Sequence, residues 1–381
     1  MFLSDGDLER LVAWRRQLHA HPEISGEERE TAQRVVEFLA PTCPDQVLTG
    51  LGGHGVAAVY DGAAPGPTLM IRAELDALPI RETGTATHRS TIEGKGHLCG
   101  HDGHMAMVAA LALGLGRRRP ARGRVILLFQ PAEETGAGAA AVLADPRFAA
   151  LRPDTVLALH NLPGVARGRV ELREGVVNCA SRGMRIVLGG RTAHASMPET
   201  GVSPMAAVAR LMPALTALGE GTFPGDSFAM ATVTHARLGE AAFGIAPGEA
   251  EIMVTLRSFT DAGMERLCRR AEKLVRGIAE AEGLSSAWTY HDIFAHCEND
   301  ARAVALLRTA LDAEGIAHAP GSPMRASEDF GRFAGVASTA MFFLGAGENH
   351  PSLHNPDYDF PDALLPIGAN VFMRAAREML G

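Results

Sequence analysis

RVILLFQPAEET, residues 124–135, sets an unbroken apolar run against a proline and two adjacent carboxylates. Val125 to Phe129 is too short a run for a buried helix, and it does not alternate with polar residues. It reads as a strand covered on both faces, the kind found in parallel sheets. Similar runs recur at GVAAVYDG (55–62), TLMIRAELDALP (68–79), TVLALHNLP (155–163) and STAMFFLGAG (338–347). HMAMVAALALGLGRRR (104–119) is an alanine-rich helix between two of them, and LERLVAWRRQLHAHPE (8–23) and EERETAQRVVEFLA (27–40) read as helices at the start. Strand and helix alternate, so the fold class is α/β, with a mainly parallel sheet flanked by helices.

The middle of the chain has another rhythm. SRGMRIVLGG, SPMAAVARLMPALTAL, SFAMATVTHARLG, EAEIMVTLRSF, MERLCRRAEKLVRGIAEAEG and SAWTYHDIFAH run strand, helix, strand, strand, helix, strand. That order is the ferredoxin-like α+β unit. The expected division is therefore 1–179 with 293–381 as one domain and 180–292 as a second domain inserted into it. A chain of 381 residues is long enough for two cores.

Composition narrows the function. The net charge of −8 is spread along the chain, and the one basic run, Arg117–Arg119, has the look of a solvated helix end, so no nucleic-acid partner is expected. No apolar run is long enough to cross a bilayer, so no membrane partner is expected. MFLSDGDLERLVAW lacks a basic region followed by an apolar core, so a cytoplasmic location is expected. Five scattered cysteines, an odd number, argue against a disulfide framework.

The polar residues gather at strand ends. TLMIRAEL leads to Asp76, RVILLFQ to Glu133 and Glu134, and TVLAL to His160. In open α/β sheets the ligand site lies beyond the carboxyl ends of the strands. HLCGHDGH (97–104) precedes a helix start, and SLHNPDYDFPD (352–362) adds His354 in a loop. Each has a plainer reading. A single histidine there is a rim group, a Glu-Glu pair is a solvated helix start, and Cys-Gly-His alone is weak evidence for metal. Convergence favours a site. Cys99, His101, Glu134, His160 and His354 form a mixed N, O and S ligand set for zinc, manganese, cobalt or nickel. Five ligands and a spare carboxylate suit two divalent ions better than one, and a water between two cations is acidified towards neutrality. Glu133, beside a ligand, is the candidate general base. His194, in GGRTAHASMPETG (189–201), reads on its residues alone as a surface loop histidine. Arg257 is either a carboxylate clamp or a surface strand residue.

The motifs RRQLHAHPEIS, RAELDALPI, HLCGHDGHMAMVAALA, FQPAEET, ALHNLP, GGRTAHASMPETG, ASEDF and LHNPDYDFPD occur in one order along nearly the whole chain. In this the chain resembles the aminoacylase/carboxypeptidase/hippuricase family of dinuclear metallo-amidohydrolases (peptidase family M-twenty, subfamily D). The resemblance implies a catalytic metal-binding domain with an inserted lid or dimerisation domain, and a homodimer or higher homo-oligomer. It implies that Cys99 bridges two metals, that His101, Glu134, His160 and His354 complete the ligands, and that Glu133 is the base. Asp76 and Asp102 would orient ligands. His194 would polarise the substrate carbonyl, within its own subunit or across a dimer. This reverses the reading that its own surroundings favour. Three positions depart from the family pattern: Glu199 after Met197-Pro198, Ser203 before Pro204, and Gly244 in Phe243–Pro247, where relatives commonly carry a substrate-contacting Asn.

The expected reaction is hydrolysis of the amide bond of a small N-acyl amino acid or similar conjugate. Its rival is a di- or carboxypeptidase on the same scaffold. A non-catalytic metal- or ligand-binding protein predicts a degraded site, and no ligand is replaced. A cysteine hydrolase built on Cys99 would survive a chelator. A plain nucleotide binder would need G-x-G-x-x-G after the first strand, and none is present.

Overall fold

A computed structural model describes residues 2–381. The chain forms two compact units. One comprises the chain up to Val177, Glu298–Ser322 and Asp329–Gly381; the other comprises Asn178–Cys297 and Pro323–Glu328. The second unit thus exceeds the expected 180–292 by Asn178 and Cys179, by residues 293–297 and by Pro323–Glu328. The reason is local hydrogen bonding. The Cys179 N–H donates to the carbonyls of Met324 and Ala326, and the Arg257 guanidinium donates to the Arg325 carbonyl at 2.8 Å and the Ser327 hydroxyl at 2.9 Å.

The first unit is built on an eight-stranded sheet. Its centre is parallel: Arg124–Gln130 pairs with Thr68–Glu74, that strand with Thr155–Pro163, and that in turn with Ser338–Gly347. Gly55–Asp61, whose run of buried residues suggested a parallel neighbour, instead lies antiparallel to Arg124–Gln130, and Gln46–Leu51 antiparallel to it at the edge. Arg124–Gln130 and Thr68–Glu74 are buried along almost their whole length, as strands covered on both faces must be. The helix His101–Arg117 is buried from His101 to Leu115 and runs through the core, which explains an alanine and leucine sequence with no polar face. The first helix, Asp5–Ala20, is started by a capping box in which Ser4 and Asp7 satisfy each other's backbone N–H.

The second unit is a four-stranded antiparallel sheet with the order Ala229–Leu238, Glu249–Ser258, Ala180–Gly189, Ser285–Phe294. Its two helices, Met205–Thr216 and Asp261–Ala281, supply the strand crossovers of the ferredoxin-like order. Its core is separate and includes Ile186, Leu211, Ile252, Leu267 and Val275. A short ribbon, Ala193–His194 paired with Ile245–Ala246, stands apart from that sheet.

Candidate metal centre

Three neighbouring strands deliver their carboxyl ends to one edge of the first unit's sheet. Thr68–Glu74 is followed by Asp76, and Arg124–Gln130 by Glu133 and Glu134. His160 lies inside its strand rather than at the end, because Thr155–Pro163 continues beside Ser338–Gly347 after the pairing with Thr68–Glu74 stops at Leu157. His101 is the first residue of the buried helix, with Gly100 as its N-cap. Gly100 has φ +91, and a Cβ there would lie 2.2 Å from the Asn161 carboxamide oxygen, so only glycine fits between Cys99 and His101.

The histidines are aimed by their partners. His101 Nδ1 is 2.8 Å from the backbone carbonyl of Asp76, which leaves Nε2 buried, without a hydrogen bond and 3.9 Å from both Glu133 and Glu134. His160 Nδ1 is 2.8 Å from the Asn161 carbonyl, and its Nε2 is 3.4 Å from the Cys99 sulfur. Holding Nδ1 on a carbonyl fixes the ring and presents the other nitrogen as a ligand. His354 Nε2 is 3.6 Å from Glu134. Two groups of donors whose atoms lie within 4.8 Å of one another share Cys99: Cys99, His101 and His160; and Cys99, Glu134 and His354; a further group joins His101 to Glu133 and Glu134. An orphaned buried nitrogen and a shared sulfur fit two cations and match the donor types that zinc, manganese, cobalt and nickel accept.

Charge in the site tells the same story. Burial, then the Glu134 and Glu133 carboxylates, push the Cys99 thiol far up, so a thiolate there requires cations to offset it. Burial pushes His160 down to about 3, reinforced by His104 and His101. Burial also opposes a charge on His101, but Asp76, Glu74 and Glu134 outweigh it and raise the ring to about 10.

The backbone around the glutamates is constrained. Ala132 sits at φ 51, and its N–H donates to the buried Glu28 carboxylate at 2.8 Å. The Glu134 N–H donates to Asp76 at 2.9 Å, and the Ser25 hydroxyl donates to the same oxygen at 2.6 Å. Asp76 therefore positions Glu134 through its carboxylate and His101 through its carbonyl. Its other carboxylate oxygen is 3.6 Å from His101, too far for a hydrogen bond. Asp102 does not face the ligands. Its Oδ2 lies 2.9 Å from His19 Nδ1 and 3.1 Å from Arg15, in a buried cluster that ties the first helix to the helix of His101. Side chains next to each other on a helix point about 100° apart, which turns Asp102 away from His101.

His194 and Arg257 belong to the second unit. His194 is exposed on the ribbon, and its Nδ1 accepts from the Ser196 N–H at 3.1 Å, which puts the ring proton on the outward Nε2. Arg257 is half-buried, and it donates to the Arg325 carbonyl and the Ser327 hydroxyl.

The sequence reading missed a buried polar layer beneath the donors. His104 spans Glu74 (2.7 Å) and the Asn161 carboxamide oxygen (2.6 Å), so both its nitrogens are engaged and it is not a ligand candidate. Glu74 is paired with Arg72, and Arg72 with Asp329 at 2.5 Å. His104 could have been found: three residues after His101 on a helix, it shares that ligand's face. Arg72, Asn161 and Asp329 carry no such signal.

The chain is similar to known proteins over nearly its whole length. The model of peptidase family M20/M25/M40 matches residues 70–378. N-acetylcysteine deacetylase of Bacillus subtilis (strain 168) is 28% identical over 371 residues, covering 96% of this chain and 96% of that protein. Hippurate hydrolase of Campylobacter jejuni is 29% identical over 378 residues, covering 98% and 97%. The crystal structure of a Bacillus subtilis protein described as a dinuclear metal binding peptidase from the M20 family superposes with a TM-score of 0.82 at 25% identity, over 99% of both chains. A match that begins inside one site strand and runs through the last helix takes in every donor described above, and the chain belongs to peptidase family M20/M25/M40.

Proposed function

We propose that this chain is a metal-dependent amidohydrolase that cleaves the amide bond of N-acyl amino acids or similar small conjugates. The observation that carries the reading is the sharing of Cys99 between two donor groups. Cys99, His101 and His160 would hold one divalent ion and Cys99, Glu134 and His354 the other. Manganese, zinc, cobalt and nickel all suit these donors. The names of the two relatives, a deacetylase of an N-acetyl amino acid and a hippurate hydrolase, support the substrate class.

Bound ions acidify a water and polarise the substrate carbonyl. Glu133 is the base, because Glu134 alone of the pair joins a Cys99 group. A Glu133 carboxylate oxygen takes a proton as the water oxygen adds to the amide carbon. The same oxygen returns that proton to the amide nitrogen as the C–N bond breaks, so the products are a carboxylic acid and an amino acid. His194 Nε2–H is a donor for the oxygen on which negative charge develops. Arg257 is a candidate for the substrate carboxylate, and Asp76 and Asp102 support the centre from behind. The domain with the sheet of eight strands is the catalytic one, and the inserted unit is a lid or dimerisation domain. Exposed Phe243, Ile245 and Met197 on and beside the ribbon support self-association there. Five free cysteines support a cytoplasmic setting.

The test is metal analysis of the purified chain together with an activity screen. Two ions per chain and EDTA-sensitive turnover of N-acetyl or N-benzoyl amino acids are expected. Turnover of dipeptides alone would replace the substrate class with a peptidase's, and metal-free turnover would remove the mechanism.

A further inference from the structure

The five donor residues differ in how they are held. Four are buried or half-buried on regular elements or directly beside them. His354 is the exposed one, in a loop, with its side chain 49% accessible and its backbone at φ 66. A non-glycine residue in the left-handed region persists only when its surroundings impose that conformation. Its N–H donates to the Leu98 carbonyl at 2.8 Å, one residue before Cys99. Asn355, Pro356 and Asp357, which follow it, are exposed, and Tyr358 is fully buried; Leu353, just before it, is partly buried against the core.

The Tyr358 hydroxyl accepts a hydrogen bond from the Asn161 carboxamide nitrogen at 2.6 Å. Asn161 is also fully buried, follows His160 in the chain, and accepts from His104 through its carboxamide oxygen. The missing Cβ of Gly100 is filled by the same pair: it would lie 2.2 Å from the Asn161 oxygen and 3.0 Å from the Tyr358 oxygen. One carboxamide therefore joins the helix that starts at His101, the strand of His160 and the loop of His354.

We propose that the Tyr358 hydroxyl, bound to Asn161, is a positioning group that sets the His354 loop against the Cys99–His101–His160 group and so completes the second ion position. It acts through His354 and touches no substrate. The hydroxyl matters because the ligand is exposed, sits on a left-handed backbone and is followed by three exposed residues before Tyr358 re-enters the core. Partners that orient a ligand from behind are worth about 10–100-fold in metal affinity.

The proposal rests on the metal-centre reading, and one calorimetric titration separates the two. Full-length protein is stripped with EDTA and titrated with Mn²⁺ alone. Wild type binding two ions supports the centre; wild type binding none breaks that reading and this proposal with it. Given two, Tyr358→Phe keeps the buried ring and removes only the hydroxyl. It is expected to bind the first ion as wild type does and the second about 10–100-fold more weakly. Unchanged affinity for both ions, or equal weakening of both with a lowered melting temperature, overturns the proposal. His354→Ala with and without Tyr358→Phe gives the second measurement. If the hydroxyl acts through His354, its removal changes nothing further in the His354→Ala background; a further loss there overturns the assignment.

Discussion

The donor edge of the first unit and the His194 ribbon of the second handle polar residues in opposite ways. At the edge, His101 and Asp76 are fully buried, Cys99 is 7% exposed, and each ligand histidine on the sheet or helix has one nitrogen held by a carbonyl. On the ribbon, His194 is exposed and rests on its own neighbour Ser196, and Phe243 is completely exposed. Donors for small cations must be fixed in advance, because a shift of one ångström loses the ligand. A group that meets substrate has to be reachable. The contrast separates a donor edge fixed in the core from a histidine left open on the surface.

Glu133→Gln tests the edge most severely. Turnover is expected to fall about 10⁴-fold with both ions still bound, measured by steady-state kinetics and metal analysis of the same sample. Normal turnover would take the base role from Glu133. His194→Ala is the matching change on the ribbon. It should lower kcat about 100-fold and leave ion binding untouched. A parallel loss of metal would erase the difference between the two regions.

A pH experiment sharpens the picture behind the edge. Burial disfavours a charged His19, but Asp102 and Glu82 outweigh it and raise the ring to about 10 from 6.5. A raised pKa contributes stability that is fully present below pH 6.5 and is lost as pH rises through about 10. The melting temperature of wild type should therefore fall between pH 7 and 10 by at least about 2 °C more than that of His19→Gln. Equal slopes would show that the pair does not carry this stability. The smallest effect belongs to the ribbon. Gly244 has φ +80, and an added Cβ would meet nothing within 4 Å, so Asn, which tolerates that backbone, fits there. Gly244→Asn is expected to shift the ratio of kcat/KM values between N-acyl amino acids about 3-fold, the size of one added hydrogen bond, without a change in melting temperature.

The readable features were those with a period or a terminus. Short apolar runs flanked by glycine and proline marked the sheet, and the residues that end them, Asp76, Glu133 and Glu134, do meet at one edge with His101 and His160. The inserted unit was readable, apart from its bounds and the return of Pro323–Glu328, because its helices and strands alternate in an order that few folds share. The antiparallel placement of Gly55–Asp61 was not readable, since burial on both faces looks alike in either direction. Nor was the orientation of Asp102, which depends on partners 83 and 87 residues away. Asn161 and Tyr358 look like ordinary polar residues until three segments are folded around them. His194 drew its role from likeness alone, because an exposed histidine beside a serine has no distinguishing pattern.

The helix His101–Arg117 is buried by aliphatic side chains for most of its length, and only its first turn faces the donors. The scaffold around the candidate centre is therefore expected to owe little of its stability to bound ions, unlike a zinc finger. The chain is therefore expected to stay folded when stripped of divalent ions, and its melting temperature in EDTA is the check.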